Sequence, residues 1–236
     1  GSGCVCFNTQ PVACARLPSL ASVYALQRLF LFKLQFSFCK QENYITDMDF
    51  KEIKELDAKN HMNMFNRLNV CFERGEKCKL YDTSGKEYID FMGGIAVNCL
   101  GYNHPKLVAA ISEQAARLMH ISNLFYNVPQ VELCEKLLDG TIFSKMMLCN
   151  SGAEANEAAI KLARKYFYDK RENRPTIVTA ENSFHGRTLA TVTATGQKKY
   201  SAPFAPLPAG FKHVPYNDFD ALKNALTDDV GAVMLE

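Results

Sequence analysis

The chain is predicted to be an α/β protein with a mainly parallel sheet and flanking helices. Three observations predict this. Strand-length apolar runs recur in the second half: Met146-Met147-Leu148-Cys149, Pro175 to Ala180, and Gly231 to Leu235. Helical periodicity separates them, over 153–169 and 219–226, and strand–helix–strand alternation implies parallel βαβ units. A small-residue turn, Asn150-Ser151-Gly152-Ala153, joins the first run to its helix. It stands at the carboxyl end of a strand, where parallel sheets bind their ligands.

With 236 residues the chain suffices for one large domain or two small ones. A composition of 47% hydrophobic and 22% charged residues, with net charge +2, points to neither nucleic acid nor membrane as a partner. None of the nine cysteines forms a Cys-x-x-Cys pair, and Cys99, Cys134 and Cys149 sit in apolar surroundings, as in a reduced protein. Cys4, Cys6 and Cys14 lack a nearby His and fit no zinc spacing, so no metal is expected.

Residues 1–47 differ from the rest. No acidic residue precedes Glu42, whereas Arg16, Arg28, Lys33 and Lys40 are basic, with Ser19, Ser22 and Ser37 among them. That is a transit-peptide composition. However, Phe30, Phe32, Leu34, Phe36 and Phe38 alternate with period two, a strand signal. Arg28 and Lys33 also keep any uncharged run below the roughly 18–20 residues of a membrane span. The segment is expected to be a disordered extension outside the functional fold, with a targeting role as the alternative. Met48-Asp49-Phe50 reads as a natural start.

From there the elements follow in order. Residues 49–59 carry helical periodicity. Leu80 to Phe91 reads as a β-hairpin around Asp82-Thr83-Ser84-Gly85. Pro105 opens a helix reaching Met119, and Glu132 to Leu138 forms another, closed by Gly140.

Two loops carry the chemistry. At Ser151-Gly152-Ala153, small residues expose backbone N–H groups at a helix N-terminus, a ready site for phosphate. After Ala180 comes Ser183-Phe184-His185-Gly186-Arg187-Thr188. An aromatic ring beside a phosphate turn can stack on a flat heterocycle, and an Arg can clamp a carboxylate. Singly, Phe184 would be core, His185 a structural histidine and Arg187 a surface charge. Together at a strand end they point to a phosphorylated aromatic cofactor and an acidic substrate. A nucleotide-binding reading is weak, since neither Gly-x-Gly-x-x-Gly nor Gly-Lys-Ser/Thr occurs.

Further motifs run along the chain: Tyr88 to Asn98, Leu100 to Pro105, Ser122 to Asn127, Asn150 to Glu157, Thr195-Gly196-Gln197-Lys198-Lys199-Tyr200, and Val214 to Asp218. With the loop at 183–188, these make residues 48–236 resemble the N-terminal half of the class III (subgroup II) pyridoxal-phosphate aminotransferases, most closely their acetylornithine type. The resemblance implies a fold-type I PLP-transferase architecture, with 48–105 as the N-terminal segment of a small α+β domain and 106–236 as the first part of the large cofactor-binding domain, and pyridoxal 5'-phosphate as cofactor. It implies that Ser151, Gly152 and Ala153 hold the cofactor phosphate, that Phe184 stacks on the pyridine ring with His185 beside it, and that Arg187 binds the substrate carboxylate. Val97, Asn98, Phe125 and Tyr126 would line the substrate entrance. A homodimer, an amino donor and 2-oxoglutarate are the implied partners, in a bacterial-type cytoplasm. A mitochondrial or plastid location follows if 1–47 is a transit peptide.

The reaction implied moves the terminal amino group of N-acetylornithine to 2-oxoglutarate in arginine biosynthesis. Ornithine and 4-aminobutyrate aminotransferases are the alternatives, and a noncatalytic fragment is another. The family's pyridinium-pairing Asp, Schiff-base Lys and phosphate-binding Thr all fall beyond the position matched by Glu236. Lys145, Lys161, Lys198 and Lys199 do not match that Lys. No catalytic residue is therefore expected in this chain, nor transamination by it alone. The family's sheet of about seven strands would be represented by three or four.

Overall fold

The computed structural model describes residues 48–236, so the expectations for 1–47 lie outside the described residues. Two compact units divide between His120 and Ile121.

In the first unit, helix α1 (Phe50–Asn60) starts in a capping box. The Asp49 carboxylate accepts from Glu52 N–H at 2.9 Å, and the Glu52 carboxylate accepts from Asp49 N–H at 3.1 Å. An antiparallel sheet follows, ordered β1 (Phe72–Glu76), β2 (Lys79–Asp82), β3 (Glu87–Ile89). Strands β2 and β3 are the expected hairpin, with Tyr81 opposite Glu87; β1 is an addition to the sequence reading. Helix α2 (Pro105–Arg117) begins at Pro105 as the sequence requires.

In the second unit, α3 (Val128–Leu138) begins earlier than Glu132, because the Asn127 side chain accepts from Gln130 N–H and Pro129 suits a first turn. Then come α4 (Gly152–Asp169), β4 (Thr176–Ala180), α5 (Leu189–Ala194), α6 (Lys198–Ser201), β5 (Phe211–Val214), α7 (Phe219–Ala225) and β6 (Val230–Met234). The sheet order is β5-β4-β6, all parallel, with Ile177 opposite both Phe211 and Ala232. All five residues of β4 are buried. Val178 packs with Val214 and Val230 beneath Ala221, Leu222 and Ala225 of α7.

One expected strand is corrected. Met146 to Cys149 has no regular structure and is exposed. A strand is a shared ladder of hydrogen bonds, and among the described residues neither β5 nor β6 pairs with this segment. Apolar composition alone did not make the strand. Among the described residues no helix is long and apolar enough to cross a membrane.

Ile177 is 2% exposed in the central strand. Ile177→Ala is expected to lower stability by about 2–5 kcal/mol, read from the urea midpoint; a loss below about 1 kcal/mol would show that β4 is not the core.

Candidate functional site

Ser151 is the N-cap of α4. Its backbone is extended, and its Oγ accepts from Glu154 N–H at 3.2 Å. The first backbone bond of the helix runs from Ala155 N–H to Ser151 O. The N–H groups of Gly152 and Ala153 thus precede the helical ladder and are free for a ligand. A Cβ on Gly152 would meet nothing within 4 Å, so the approach is open. Eighteen residues of aligned peptide dipoles stand behind this end. Glu154 turns its carboxylate back to Asn150 N–H, at 2.6 Å, and leaves the Gly152 and Ala153 donors untouched.

The loop leaving β4 at Ala180 is pinned onto the same helix end. Asn156 Nδ2 donates to His185 O at 2.7 Å, and the Thr188 hydroxyl donates to the Glu157 carboxylate. Gly186 makes the closest approach: a Cβ there would lie 2.9 Å from Ala153 Cβ and 2.6 Å from Thr191 Oγ1, and its φ of +135° suits only glycine. The structure therefore brings Ser151, Gly152 and Ala153 together with the loop of Phe184, His185 and Arg187.

Within that loop Phe184 is half-exposed, and its N–H donates to Glu236 Oε2 at 2.5 Å. Arg187 is exposed, with its guanidinium carbon 5.3 Å from the Phe184 ring centroid and 4.0 Å from that of Tyr200. His185 is only 4% exposed. Its N–H donates to Thr195 Oγ1 at 2.9 Å, while its Nε2 is buried without a partner. Burial pushes this imidazole below its ordinary 6.5; Glu236 opposes the shift and His213 adds to it.

Four predicted residues remain. Val97 and Asn98 belong to the first unit, at the end of a distorted turn in which Ile95 and Ala96 have positive φ. Asn98 N–H caps that turn on Gly93 O at 2.9 Å. Phe125 and Tyr126 lie in an exposed turn ahead of α3, with no hydrogen bond to the cradle. Sequence reasoning missed the roles of Asn156, Glu157, Thr195 and Tyr200. Asn156 grips a residue 29 positions away, so no local spacing marks it.

A parallel α/β unit thus offers an anion cradle at a helix N-terminus, with an aromatic face and a guanidinium carried on the adjoining loop. The model of the class-III aminotransferases matches residues 59–236, and the chain belongs to this family. It is 50% identical over 189 residues to the acetylornithine aminotransferase of Methanothermobacter thermautotrophicus, covering 80% of this chain and 47% of that one. The N-acetylornithine aminotransferase of Stenotrophomonas maltophilia superposes with a TM-score of 0.61 at 37% identity, over 77% of this chain and 43% of that one. The ornithine aminotransferase of Toxoplasma gondii, whose active site holds pyridoxal phosphate at partial occupancy, gives 0.74 at 28% identity, over 78% and 44%. The chain spans about half the length of the curated relatives it matches.

A histidine kept neutral by burial binds its proton more readily once unfolded. The stability this provides is complete above 6.5 and is lost as pH falls through it toward the lower folded value. Urea midpoints measured from about pH 8 to about pH 5 should fall with acidification, and His185→Gln should flatten the decline. An identical slope in both proteins would refute this role of His185.

Proposed function

We propose that residues 48–236 supply the cofactor-phosphate and substrate-carboxylate portion of an acetylornithine-type transaminase. Such an enzyme moves the terminal amino group of N-acetylornithine to 2-oxoglutarate in arginine biosynthesis. The observation that carries this reading is the seating of the Phe184–Thr188 loop on the first turn of α4. Relatives named as acetylornithine aminotransferases support the choice of donor.

The residues present fit pyridoxal 5'-phosphate. Two free N–H groups and the Ser151 hydroxyl face an open approach, enough for a phosphate dianion. When bound, this cofactor supplies the electron sink for a substrate carbanion. Gly152 and Ala153 hold the phosphate by their N–H groups, and Ser151 by its hydroxyl. Phe184 would stack on the pyridine ring and exclude water from it. His185 is buried and held below its ordinary range, so it places no positive charge in this loop at neutral pH. Arg187 takes the substrate carboxylate through its in-plane N–H fork.

Val97, Asn98, Phe125 and Tyr126 line the entrance in this reading. In this reading the whole protein is a homodimer of the bacterial-type cytoplasm, and no lysine among residues 48–236 takes the Schiff-base role. Residues 48–105 are assigned to the small domain and 106–236 to the large one. This division differs from the boundary of the compact units by the placement of α2. An ornithine donor is the second reading, supported by the likeness to the Toxoplasma enzyme.

Binding of pyridoxal 5'-phosphate to the chain, followed by absorbance, is expected to weaken about ten-fold in Ser151→Ala, the loss of one charge-assisted hydrogen bond. Unaltered affinity would remove Ser151 from the cradle. Joined to the C-terminal portion of the Methanothermobacter relative, the chain should form glutamate from 2-oxoglutarate with N-acetylornithine faster than with ornithine or 4-aminobutyrate. Faster turnover of either competitor would reassign the donor, and glutamate formation by the chain alone would show that it holds a catalytic lysine.

A further inference from the structure

The motif Thr195-Gly196-Gln197-Lys198-Lys199-Tyr200 makes no contact assigned to cofactor or substrate above, yet it is tied at several points to the loop that does. Glu181 and Gly196 form a parallel bridge, and Asn182 N–H donates to Gly196 O at 2.9 Å. Gly196 N–H reaches Ser183 Oγ at 3.4 Å. A Cβ on Gly196 would strike Ala180 O and Glu181 Cα, so this approach excludes any side chain. Gln197 Nε2 donates to Ser183 O at 3.1 Å and to Asn182 O at 3.3 Å, and Thr195 Oγ1 accepts His185 N–H at 2.9 Å. Every residue from Glu181 to Ser183, and His185, is thereby tied to 195–197.

The motif ends on α6, whose Tyr200 is half-buried beneath Arg187. The guanidinium carbon is 4.0 Å from the Tyr200 ring centroid, nearer than to that of Phe184, and well inside the range of cation–π attraction. A guanidinium donates all its hydrogen bonds in its own plane, so attraction to a ring through its charge need use none of them and leaves the fork free for a carboxylate. Arg187 has no carboxylate within ion-pair distance among the described residues, so the rings are what hold it. An exposed arginine loses much rotamer freedom on binding a ligand, and a side chain already held loses less. Lys199 Nζ, 4.7 Å from the same centroid, keeps a second cation beside this ring.

We propose that Tyr200 is a positioning residue for Arg187: the clip at 195–197 fixes the loop, and the Tyr200 ring holds the guanidinium ready for an incoming carboxylate. The carboxylate part of this inference rests on the role given to Arg187 above, whereas the placement of the guanidinium does not. The Tyr200 hydroxyl takes no part, so phenylalanine should serve as well, whereas a side chain without a ring should not.

The test uses the ¹⁵N-labelled chain, reading the Arg187 Nε–H resonance, with glutarate as carboxylate probe and pyridoxal 5'-phosphate as phosphate probe. An upfield ring-current shift of Arg187 Nε–H is expected in the parent and in Tyr200→Phe, and its loss in Tyr200→Leu. Glutarate affinity should fall about three-fold in Tyr200→Leu and hold in Tyr200→Phe, while pyridoxal 5'-phosphate affinity holds in both. Should Tyr200→Leu not fold, Tyr200→Met removes the ring with a side chain of comparable length. An Arg187 resonance that stays put without the ring overturns the proposal, as does an equal loss of both probes. If Arg187→Ala binds glutarate like the parent, the carboxylate role of Arg187 fails, and the resonance still decides whether Tyr200 positions it.

Discussion

The second unit depends on the complete burial of β4 between two parallel neighbours. A central strand commits its backbone donors and acceptors sideways, so the chain can leave only along the strand axis, at Ala180. Burial also restricts which polar side chains the strand can carry, since an unpaired hydroxyl there costs about 1–3 kcal/mol. Both threonines meet that condition. Thr179 Oγ1 donates to Ala194 O at 2.8 Å, and Thr176 Oγ1 to Asp229 Oδ2 at 2.6 Å. The first bond ties the strand to α5 and so fixes the far side of the loop that carries Phe184 and Arg187.

That loop then behaves as part of the framework rather than as a connection. Ser183 Oγ returns to Ala180 O at 2.7 Å, α4 grips the middle through Asn156, and Thr191 at the start of α5 accepts Thr188 N–H at 3.0 Å. The first unit fixes its own turn by a related device. Asp90 accepts from the Tyr102 hydroxyl at 2.7 Å and from Met92 and Gly93 N–H at 2.8 and 3.0 Å. The Tyr102 hydroxyl foremost, then the two N–H groups, hold the Asp90 carboxyl below its ordinary range. In both units a few side chains gather orphan backbone groups and so give irregular segments definite shapes.

The sequence made the periodic elements legible. The helix from Gly152 to Asp169, the strand ending at Ala180 and the Asp82–Lys86 hairpin all carry their own signals of spacing, capping or turn chemistry. Elements decided by distant partners were not legible. Leu189 to Ala194 is a helix although Thr191 and Thr193 are poor helix formers. Their hydroxyls bond locally, Thr193 Oγ1 to Leu189 O at 2.6 Å, and burial against the sheet does the rest. Met146 to Cys149 failed in the opposite sense, being apolar enough for a strand and without a ladder to join. At the site, the residue types of the cradle and loop named a chemistry. The ties through Asn156, Thr195 and Tyr200 needed coordinates, because each joins residues that the sequence separates by a turn or more.

The order β5-β4-β6 also bears on how a ribosome would deliver this molecule. The middle strand is synthesised before either of its flanks, since β5 and β6 both follow it in the chain. Helix α4 is local and can form as it emerges, and the phosphate-binding turn with it. The ladder edges of β4, by contrast, wait for residues as late as Met234 before both are paired. A nascent chain therefore passes through a stage with an open strand on display, the kind of surface that chaperones shield and that other nascent chains can capture.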